Sequence, residues 1–276
     1  MRVRQSFGSV TVVTRPKRGL RHLGIPPSGP FDTESFRILE TLLRQSNATD
    51  FKALELANAS VELEFPTLGT VAIVGAPVSV QSDLPDAITN ARFPVTTGSS
   101  VKIIAGTSGL RTYVAFAPVS LRATRLSRVP GSVALHAIRV LPGPQFGQGT
   151  WPLEPLEPLT VSPIQDRVGI RCQPVESWAH DLELPSEPAV FGAIQVTPNG
   201  TPIILGPDGP TIGGYPKPYV VCRADLPKLA HLRTGQTVPL EMIQLETARI
   251  ANIESGQQMD KFISELEIAL TGDLQP

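Results

Sequence analysis

Four blocks of the 276-residue sequence combine glycine and proline with polar residues, and chemistry is expected there first. They are residues 24–32 (GIPPSGPFD), 140–145 (VLPGPQ), 165–171 (QDRVGIR) and 192–221, which contains GGYP. Glycine lets the backbone approach a ligand and exposes N–H groups to an anion, whereas proline fixes φ. The blocks therefore predict preorganised loops that bind a small molecule or a partner. Turn formation alone is the alternative for each block.

Local patterns assign no catalytic residue. The sequence contains no G-x-S-x-G elbow, Walker A loop, G-x-G-x-x-G fingerprint or H-E-x-x-H motif. Its four histidines are scattered: His22, His136, His180 and His231. His180 and Asp181 could form an acid–base pair, but adjacent residues on a strand face opposite ways, which favours a solvated loop. Asp166-Arg167 fits a local ion pair or turn better than a catalytic unit.

Composition narrows the functional class. Charged residues are 18% of the chain and the net charge is -1, so no nucleic-acid surface is expected. No run approaches the roughly 20 apolar residues of a membrane span, and the N-terminus alternates like a strand, so a cytoplasmic protein is expected. Cys172 and Cys222 could form a disulfide, but two buried free thiols are favoured. No Cys/His cluster has zinc-ligand spacing, so no metal site is predicted.

Many short strands joined by turns indicate a mainly β fold. The predicted strands are 3–14, 53–56, 61–65, 71–74, 101–104 and 111–116, then 137–141, 168–172, 193–196, 202–205, 219–222 and 238–243. These two series predict two domains, residues 1–120 and 136–276, joined by a connection over residues 121–135. The T-G-x-x-V segments at 97–101 and 234–238 occupy corresponding places, which suggests a duplicated β unit, with chance as the alternative.

Three helices are predicted among the strands. In the first, Asp32 is a suitable N-cap, and an apolar face follows: Phe36, Leu39, Leu42 and Leu43. Free N–H groups at this helix start, near Ser28 and Asp32, could hold a phosphate or carboxylate. A short helix is predicted over residues 224–232. A C-terminal helix over 246–270 is expected to break or bend at Gly256 and to have this apolar side: Ile250, Ile253, Phe262, Leu266 and Leu270.

Taken in order, the blocks resemble one protein family. GIPPSGPFDTESFR resembles the family's G-x-P-x-S-G-P-M-D-x-x-S-x-R opening, and SGLRTYVAF, VLPGPQ, QDRVGIR, GAIQV and GGYP-K follow in the family's order. The family is the carboxyltransferase-domain group that includes the C-type subunit of 5-oxoprolinase, KipA, allophanate hydrolase subunit 2 and the carboxyltransferase region of urea carboxylase. The resemblance implies tandem cyclophilin-like β-barrel units with a few short helices and a C-terminal helix.

The resemblance also implies a function. It points to a hydrolase subunit that converts 5-oxoproline to glutamate with ATP as cosubstrate. Activity is expected only in complex with a KipI-like protein, the B-type subunit, together with a LamB/YcsF-like protein, the A-type subunit. Ten residues at motif positions are expected in a substrate or partner cleft, with no base or nucleophile assigned: Ser28, Gly29, Asp32, Gln145, Asp166, Arg167, Gln195, Gly213, Gly214 and Tyr215. A tight barrel corner is the alternative for GGYP.

The chain departs from the family pattern on loops expected to line the cleft. Phe31 replaces a methionine, and residues 39–46, 117–129 and 145–151 differ in sequence or length. These departures bear on catalysis more than on fold. The second interpretation is therefore a non-catalytic KipA-like module that binds a KipI-like protein. The third is biotin-dependent carboxyl transfer as in urea carboxylase.

Overall fold

The computed structural model describes residues 1–46, 48–84, 87–130, 137–154 and 156–271. The chain forms two compact units. Unit 1 comprises Met1–Arg15, Asp32–Val133 and Gln257–Pro276, and unit 2 comprises Pro16–Phe31 and Ala134–Gly256. His136 and the end of the predicted connection, residues 131–135, lie outside the described residues.

Unit 1 is built on an eight-stranded sheet. Its strands are β1 (Arg2–Val13), β2 (Ala53–Glu64), β3 (Gly69–Gly75), β4 (Val78–Gln81), β5 (Ala91–Val95), β6 (Ser100–Ala105), β7 (Arg111–Ala117) and β8 (Thr124–Arg125). The strand order is β4-β6-β2-β7-β3-β5-β8, and β1 pairs along β2. Leu56, Leu63 and Phe93 lie in the core that the sheet encloses.

The first predicted helix is confirmed as α1 (Thr33–Leu42) in unit 1. Its apolar face is buried against strand residues that include Val74 and Ala115. The helix ends at Leu42, whose carbonyl accepts a hydrogen bond from Arg92 Nη1 at 2.7 Å. This side chain satisfies one of the carbonyls that a helix C-terminus leaves without an intrahelical partner.

Unit 2 has its own eight-stranded sheet. Its strands are β9 (Ile138–Pro142), β10 (Leu159–Gln165), β11 (Gly169–Gln173), β13 (Ala193–Val196), β14 (Pro202–Leu205), β16 (Tyr219–Val221), β17 (Thr237–Val238) and β18 (Leu240–Met242). Two further strands, β12 (Glu187–Pro188) and β15 (Ile212–Gly213), form a separate pair. Helical segments are 3-10 turns at Arg21–Leu23 and Arg223–Asp225, and α2 (Leu226–Leu229).

The second sheet curls into a barrel-like shape. Its strand order is β17-β10-β11-β14-β13-β16-β9-β18, so β17 and β18 are the two edge strands. Only Pro239 separates them in the chain, which brings the edges together and divides the single strand predicted over 238–243. Closure of this kind removes exposed sheet edges. The mainly β fold of barrel-like units is confirmed.

The C-terminal helix α3 (Leu245–Thr271) corrects two expectations. It runs through Gly256 without a break. Ile250 and Ile253 are 50% and 59% exposed, so they are not on its buried side. Ala248 and Ala251 pack within unit 2, whereas Met259, Leu266 and Leu270 pack within unit 1. Because the helix buries different faces in its two halves, one apolar stripe could not be read from the whole segment.

Both cysteines are buried free thiols, as predicted. Burial raises the pKa of the Cys172 thiol to about 12. None of the helices in the described part of the chain has the length and apolar character of a membrane span.

Candidate functional site

A buried lysine holds the GGYP turn of unit 2. Lys217 directly follows the turn, and its side chain is only 3% exposed. Its Nζ lies 2.8 Å from Glu187 Oε1 and donates to the Tyr215 carbonyl at 3.0 Å. A lysine is rarely buried unless its charge is paired. The ion pair therefore ties β12, which carries Glu187, to the end of the turn.

Gln145 completes this arrangement. Its Nε2 donates to Glu187 Oε1 at 2.9 Å, and its Oε1 accepts from the Lys217 backbone N–H at 2.8 Å. The hydrogen bond from Lys217 outweighs burial and holds the pKa of the Glu187 carboxyl below its ordinary value. The VLPGPQ block can approach the Lys217 backbone closely because Gly143 has no side chain. A Cβ at this position would lie 2.0 Å from the Lys217 carbonyl oxygen, so only glycine fits there.

The amide of Gln195 lies beside the same turn. Gln195 is 4% exposed, and its Nε2 has no hydrogen-bond partner among the residues that the structure describes. Its strand neighbours Ile194 and Val196 face the core, so alternation places Gln195 on the opposite face of the sheet. A buried amide without a partner costs about 1–3 kcal/mol, which makes it a candidate ligand donor.

The two glycines of the turn affect different neighbours. A Cβ on Gly213 would lie 3.1 Å from Gln195 Nε2, whereas a Cβ on Gly214 would lie 3.1 Å from the Leu184 carbonyl oxygen. Tyr215 is 43% exposed, so its ring is accessible. We define the turn cluster as Gln145, Glu187, Gln195, Gly213, Gly214, Tyr215 and Lys217. Within it, Gly213 leaves the space beside the Gln195 amide unfilled by a side chain.

A second group in unit 2 contains three other motif residues. Arg167 makes a bidentate ion pair with Asp208, at 2.7 Å from Nε to Oδ2 and 3.0 Å from Nη2 to Oδ1. Its Nη2 also donates to the Gly29 carbonyl at 2.6 Å. The Ser28 N–H donates to the Pro207 carbonyl at 3.1 Å. These contacts fasten residues 28–29 to the segment around Asp208.

Asp166, which precedes Arg167 in the chain, does not form an ion pair with it. Asp166 Oδ1 accepts from the N–H groups of Val168 and Gly169, at 2.8 and 3.0 Å. The turn interpretation therefore holds for Asp166. The ion pair expected within Asp166-Arg167 is made instead between Arg167 and Asp208.

Asp32 belongs to unit 1 and caps α1, as predicted. Its Oδ1 accepts from the N–H groups of Glu34 and Ser35, at 2.9 and 3.1 Å, and its Oδ2 accepts from Ser35 Oγ. Its own N–H donates to Tyr113 Oη at 2.8 Å, and Tyr113 donates to Glu55. Two N–H groups predicted to hold an anion are thus occupied by the Asp32 carboxylate.

His180 is held by backbone groups. Its Nε2 lies 3.1 Å from the Val196 carbonyl oxygen, and its Nδ1 accepts from the Leu182 N–H at 3.2 Å. The ring also meets Trp151 edge-on. Across the described ranges, no three His, Cys, Asp or Glu residues are grouped as a metal site would require.

Sequence reasoning missed Lys217 and Glu187 as members of the turn cluster. Lys217 carried a weak signal, because it stands at the end of the GGYP-K block. Glu187 carried none, since the sequence around it has no motif and its contact with Lys217 spans 30 positions of the chain. The structure unites Gln145, Gln195, Gly213, Gly214 and Tyr215 with these two residues, and it places Ser28, Gly29 and Arg167 together in the second group.

Comparison with known proteins identifies the family. Residues 23–120 and 118–242 match the family described as carboxyltransferase domain, subdomain A and B. The chain belongs to the carboxyltransferase-domain family. It is similar to the C-type subunit of 5-oxoprolinase from Escherichia coli (strain K12), with 26% identity over 93% of this chain and 94% of that protein. The resemblance found in the sequence is therefore confirmed.

Solved structures share the fold of this carboxyltransferase-domain chain. TTHA0988 matches with a TM-score of 0.69 and 25% identity over 85% of this chain. The urea carboxylase of Kluyveromyces lactis matches with a TM-score of 0.72 and 22% identity over 92% of this chain. This chain spans 54% of the TTHA0988 chain and 28% of the urea carboxylase chain.

Proposed function

We propose that this chain is the C-type component of a cytoplasmic, ATP-dependent 5-oxoprolinase that converts 5-oxoproline to glutamate. The observation that carries the proposal is its similarity to the corresponding E. coli 5-oxoprolinase component over nearly the full length of both chains. Because that relative is named as one of several subunits, partner subunits are implied. The partners proposed are a KipI-like protein of the B type and a LamB/YcsF-like protein of the A type.

The turn cluster is the proposed binding site for substrate or partner. Gln195 Nε2 is a buried donor that could meet a carbonyl or carboxylate oxygen. Gly213 leaves the approach to that nitrogen open, and the exposed Tyr215 ring offers an apolar face to a small ring. Lys217, Glu187 and Gln145 hold the turn and would act as positioning residues.

We assign no ATP contact to this chain. The sequence contains no Walker A loop, and two N–H groups at the start of α1 are occupied by the Asp32 carboxylate, whose charge would repel a phosphate. We therefore propose that the partner proteins supply the nucleotide contacts. The contribution proposed for this chain is to bind and orient the substrate or the partner.

A non-catalytic KipA-like module is the second candidate function. It is favoured because two cationic side chains at or beside motif residues of unit 2 have internal partners: Arg167 pairs with Asp208, and Lys217 pairs with Glu187. Neither charge is then available to a substrate without breaking an ion pair. Biotin-dependent carboxyl transfer stays third, because this chain spans only 28% of the urea carboxylase chain that it matches.

Reconstitution separates the two leading candidates. The chain would be co-expressed with the A-type and B-type proteins of the same genome, and complex formation measured by co-purification. ADP release would then be measured with and without 5-oxoproline. A complex lacking this chain is the control. ADP release that requires both 5-oxoproline and this chain supports the enzyme proposal, whereas a stable complex without turnover supports the regulatory one.

A further inference from the structure

A groove lined by several polar residues lies on the outer face of the second sheet, and no turn-cluster residue is part of its lining. This open groove has a volume of about 680 Å³, within the range of roughly 300–1,000 Å³ that is typical of small-molecule sites. We name it the Arg171 groove. Its polar lining side chains come from β10, β11, the loop after β11 and the β13–β14 turn: Ser162, Arg171, Gln173, Ser177, Thr197, Asn199 and Thr201.

β10 bulges away from β11 where Ser162 and Ile164 line the groove. The two strands pair at Val161↔Cys172, and the register then shifts before Gln165↔Ile170. Pro163 lies in the shifted stretch and has no N–H for the ladder. Arg171 alternates with the core residues Ile170 and Cys172, so its side chain points to the outer face.

The turn at residues 197–201 contributes another part of the lining and is held by side-chain hydrogen bonds. Thr197 Oγ1 accepts from the Thr201 N–H at 3.1 Å and donates to Asn199 Oδ1. Thr201 Oγ1 also donates to Asn199 Oδ1, at 3.2 Å. With its oxygen satisfied twice, Asn199 offers its NH₂ group as a donor toward a ligand.

The groove carries one positive charge. Arg171 is the only charged side chain in its lining, and it makes no hydrogen bond or ion pair with any residue in the described ranges. Two other arginines of unit 2, Arg139 and Arg167, each pair with a carboxylate. The neighbouring Cys172 thiol stays protonated because burial raises its pKa to about 12, so it adds no negative charge.

We propose that the Arg171 groove binds a small organic monocarboxylate, with Arg171 engaging the carboxylate and Asn199 donating a second hydrogen bond. A planar guanidinium matches a carboxylate bidentately, and one cation balances one negative charge. A doubly charged phosphate would need a second cation, which this groove lacks among the described residues. The proposal does not rest on the 5-oxoprolinase assignment.

The test compares 5-oxoproline with 2-pyrrolidinone, which differ only in the carboxylate, and adds a second carboxylate and an inorganic anion. ¹H–¹⁵N chemical shifts of the full chain would be followed while L-5-oxoproline, 2-pyrrolidinone, sodium lactate or inorganic phosphate is added at constant ionic strength. We expect saturable shifts at groove residues with 5-oxoproline and lactate, and none with 2-pyrrolidinone. Arg171→Gln should weaken carboxylate binding at least about tenfold, because it removes the charge-assisted hydrogen bonds of the guanidinium.

Controls distinguish this site from the turn cluster and from general charge. Arg223→Gln removes another exposed arginine of unit 2 and should change lactate affinity less than twofold. Because the shifts are followed residue by residue, carboxylate binding at the groove residues can be confirmed or lost independently of any shift at the turn cluster. Unchanged unfolding midpoints for Arg171→Gln would exclude loss of fold.

Several outcomes would overturn the proposal. They are equal affinity for 2-pyrrolidinone and 5-oxoproline, no saturable carboxylate binding, tighter binding of phosphate than of carboxylates, and equal losses with Arg223→Gln and Arg171→Gln.

Discussion

Gly213→Ala should separate function from stability at the turn cluster. Gly213 does not have a positive φ, so alanine fits its backbone. The added methyl would lie 3.1 Å from Gln195 Nε2, the end of a side chain that can shift by a few tenths of an ångström. Because alanine also reduces the entropy of the unfolded chain, we expect the free energy of unfolding to change by less than about 1 kcal/mol.

The same methyl would fill the approach to the Gln195 amide. If a ligand oxygen meets this nitrogen, losing the contact should reduce 5-oxoproline-dependent ADP release by the reconstituted complex at least about tenfold. Urea denaturation of the isolated chain measures the stability side. Wild-type ADP release by Gly213→Ala would refute the reasoning, because the amide would then not be approached past Gly213.

Gly214→Ala is the matched comparison. Its methyl would lie 3.1 Å from the Leu184 carbonyl oxygen, a backbone atom that shifts only if the turn moves. Overpacking of this kind typically costs about 1–3 kcal/mol. We therefore expect Gly214→Ala to lower the unfolding midpoint more than Gly213→Ala, and its folded fraction to retain more activity. The reverse ranking in both assays would contradict the account.

Three further predictions concern stability. Asp32→Ala removes the N-cap of α1 and should cost about 0.5–2 kcal/mol in urea unfolding; no change would contradict the cap. Lys217→Met should lower the free energy of unfolding by about 1–3 kcal/mol, and no more, because Glu187 is 31% exposed and water can solvate it. Glu187→Gln should lower the free energy of unfolding less in the Lys217→Met variant than in the wild-type chain. Burial raises the pKa of Asp225, but hydrogen bonds from Arg139 and Lys228 lower it overall. The stability that the ionised Asp225 contributes is thus present above the unfolded-state pKa of about 3.8 and is lost as pH falls through the lower pKa of the folded state. Asp225→Asn should therefore make the unfolding midpoint depend less steeply on pH in the acid range.

Local sequence signals predicted α1 well but missed several strands, two of which contain an internal proline. The cap at Asp32 and the apolar spacing after it are local features, and both appear in the structure. β5 and β10 were not predicted, because Pro94 and Pro163 argue against strands. Residues 53–56 and 61–65 were predicted as separate strands. They are one strand, β2, since pairing with β1 continues between them across a bulge.

Only part of the candidate site could be predicted from the sequence, because the rest depends on contacts between distant residues. Glycine and proline mark Gly213 and Gly214 locally, whereas the burial of Lys217 depends on a contact with Glu187 from a distant strand. The missing hydrogen-bond partner of Gln195 is a property of the packed sheet. No spacing rule reports such an absence.

The most direct test of the central claim is 5-oxoproline-dependent ADP release by the reconstituted complex containing Gln195→Met. Gln258→Met, an exposed glutamine on α3, is the matched control. The account predicts an intact complex in both cases, with ADP release reduced at least about tenfold by Gln195→Met and unchanged by Gln258→Met. Equal ADP release by the two variants would contradict a substrate role for the turn cluster, and no release by the wild-type complex would contradict the enzyme proposal itself.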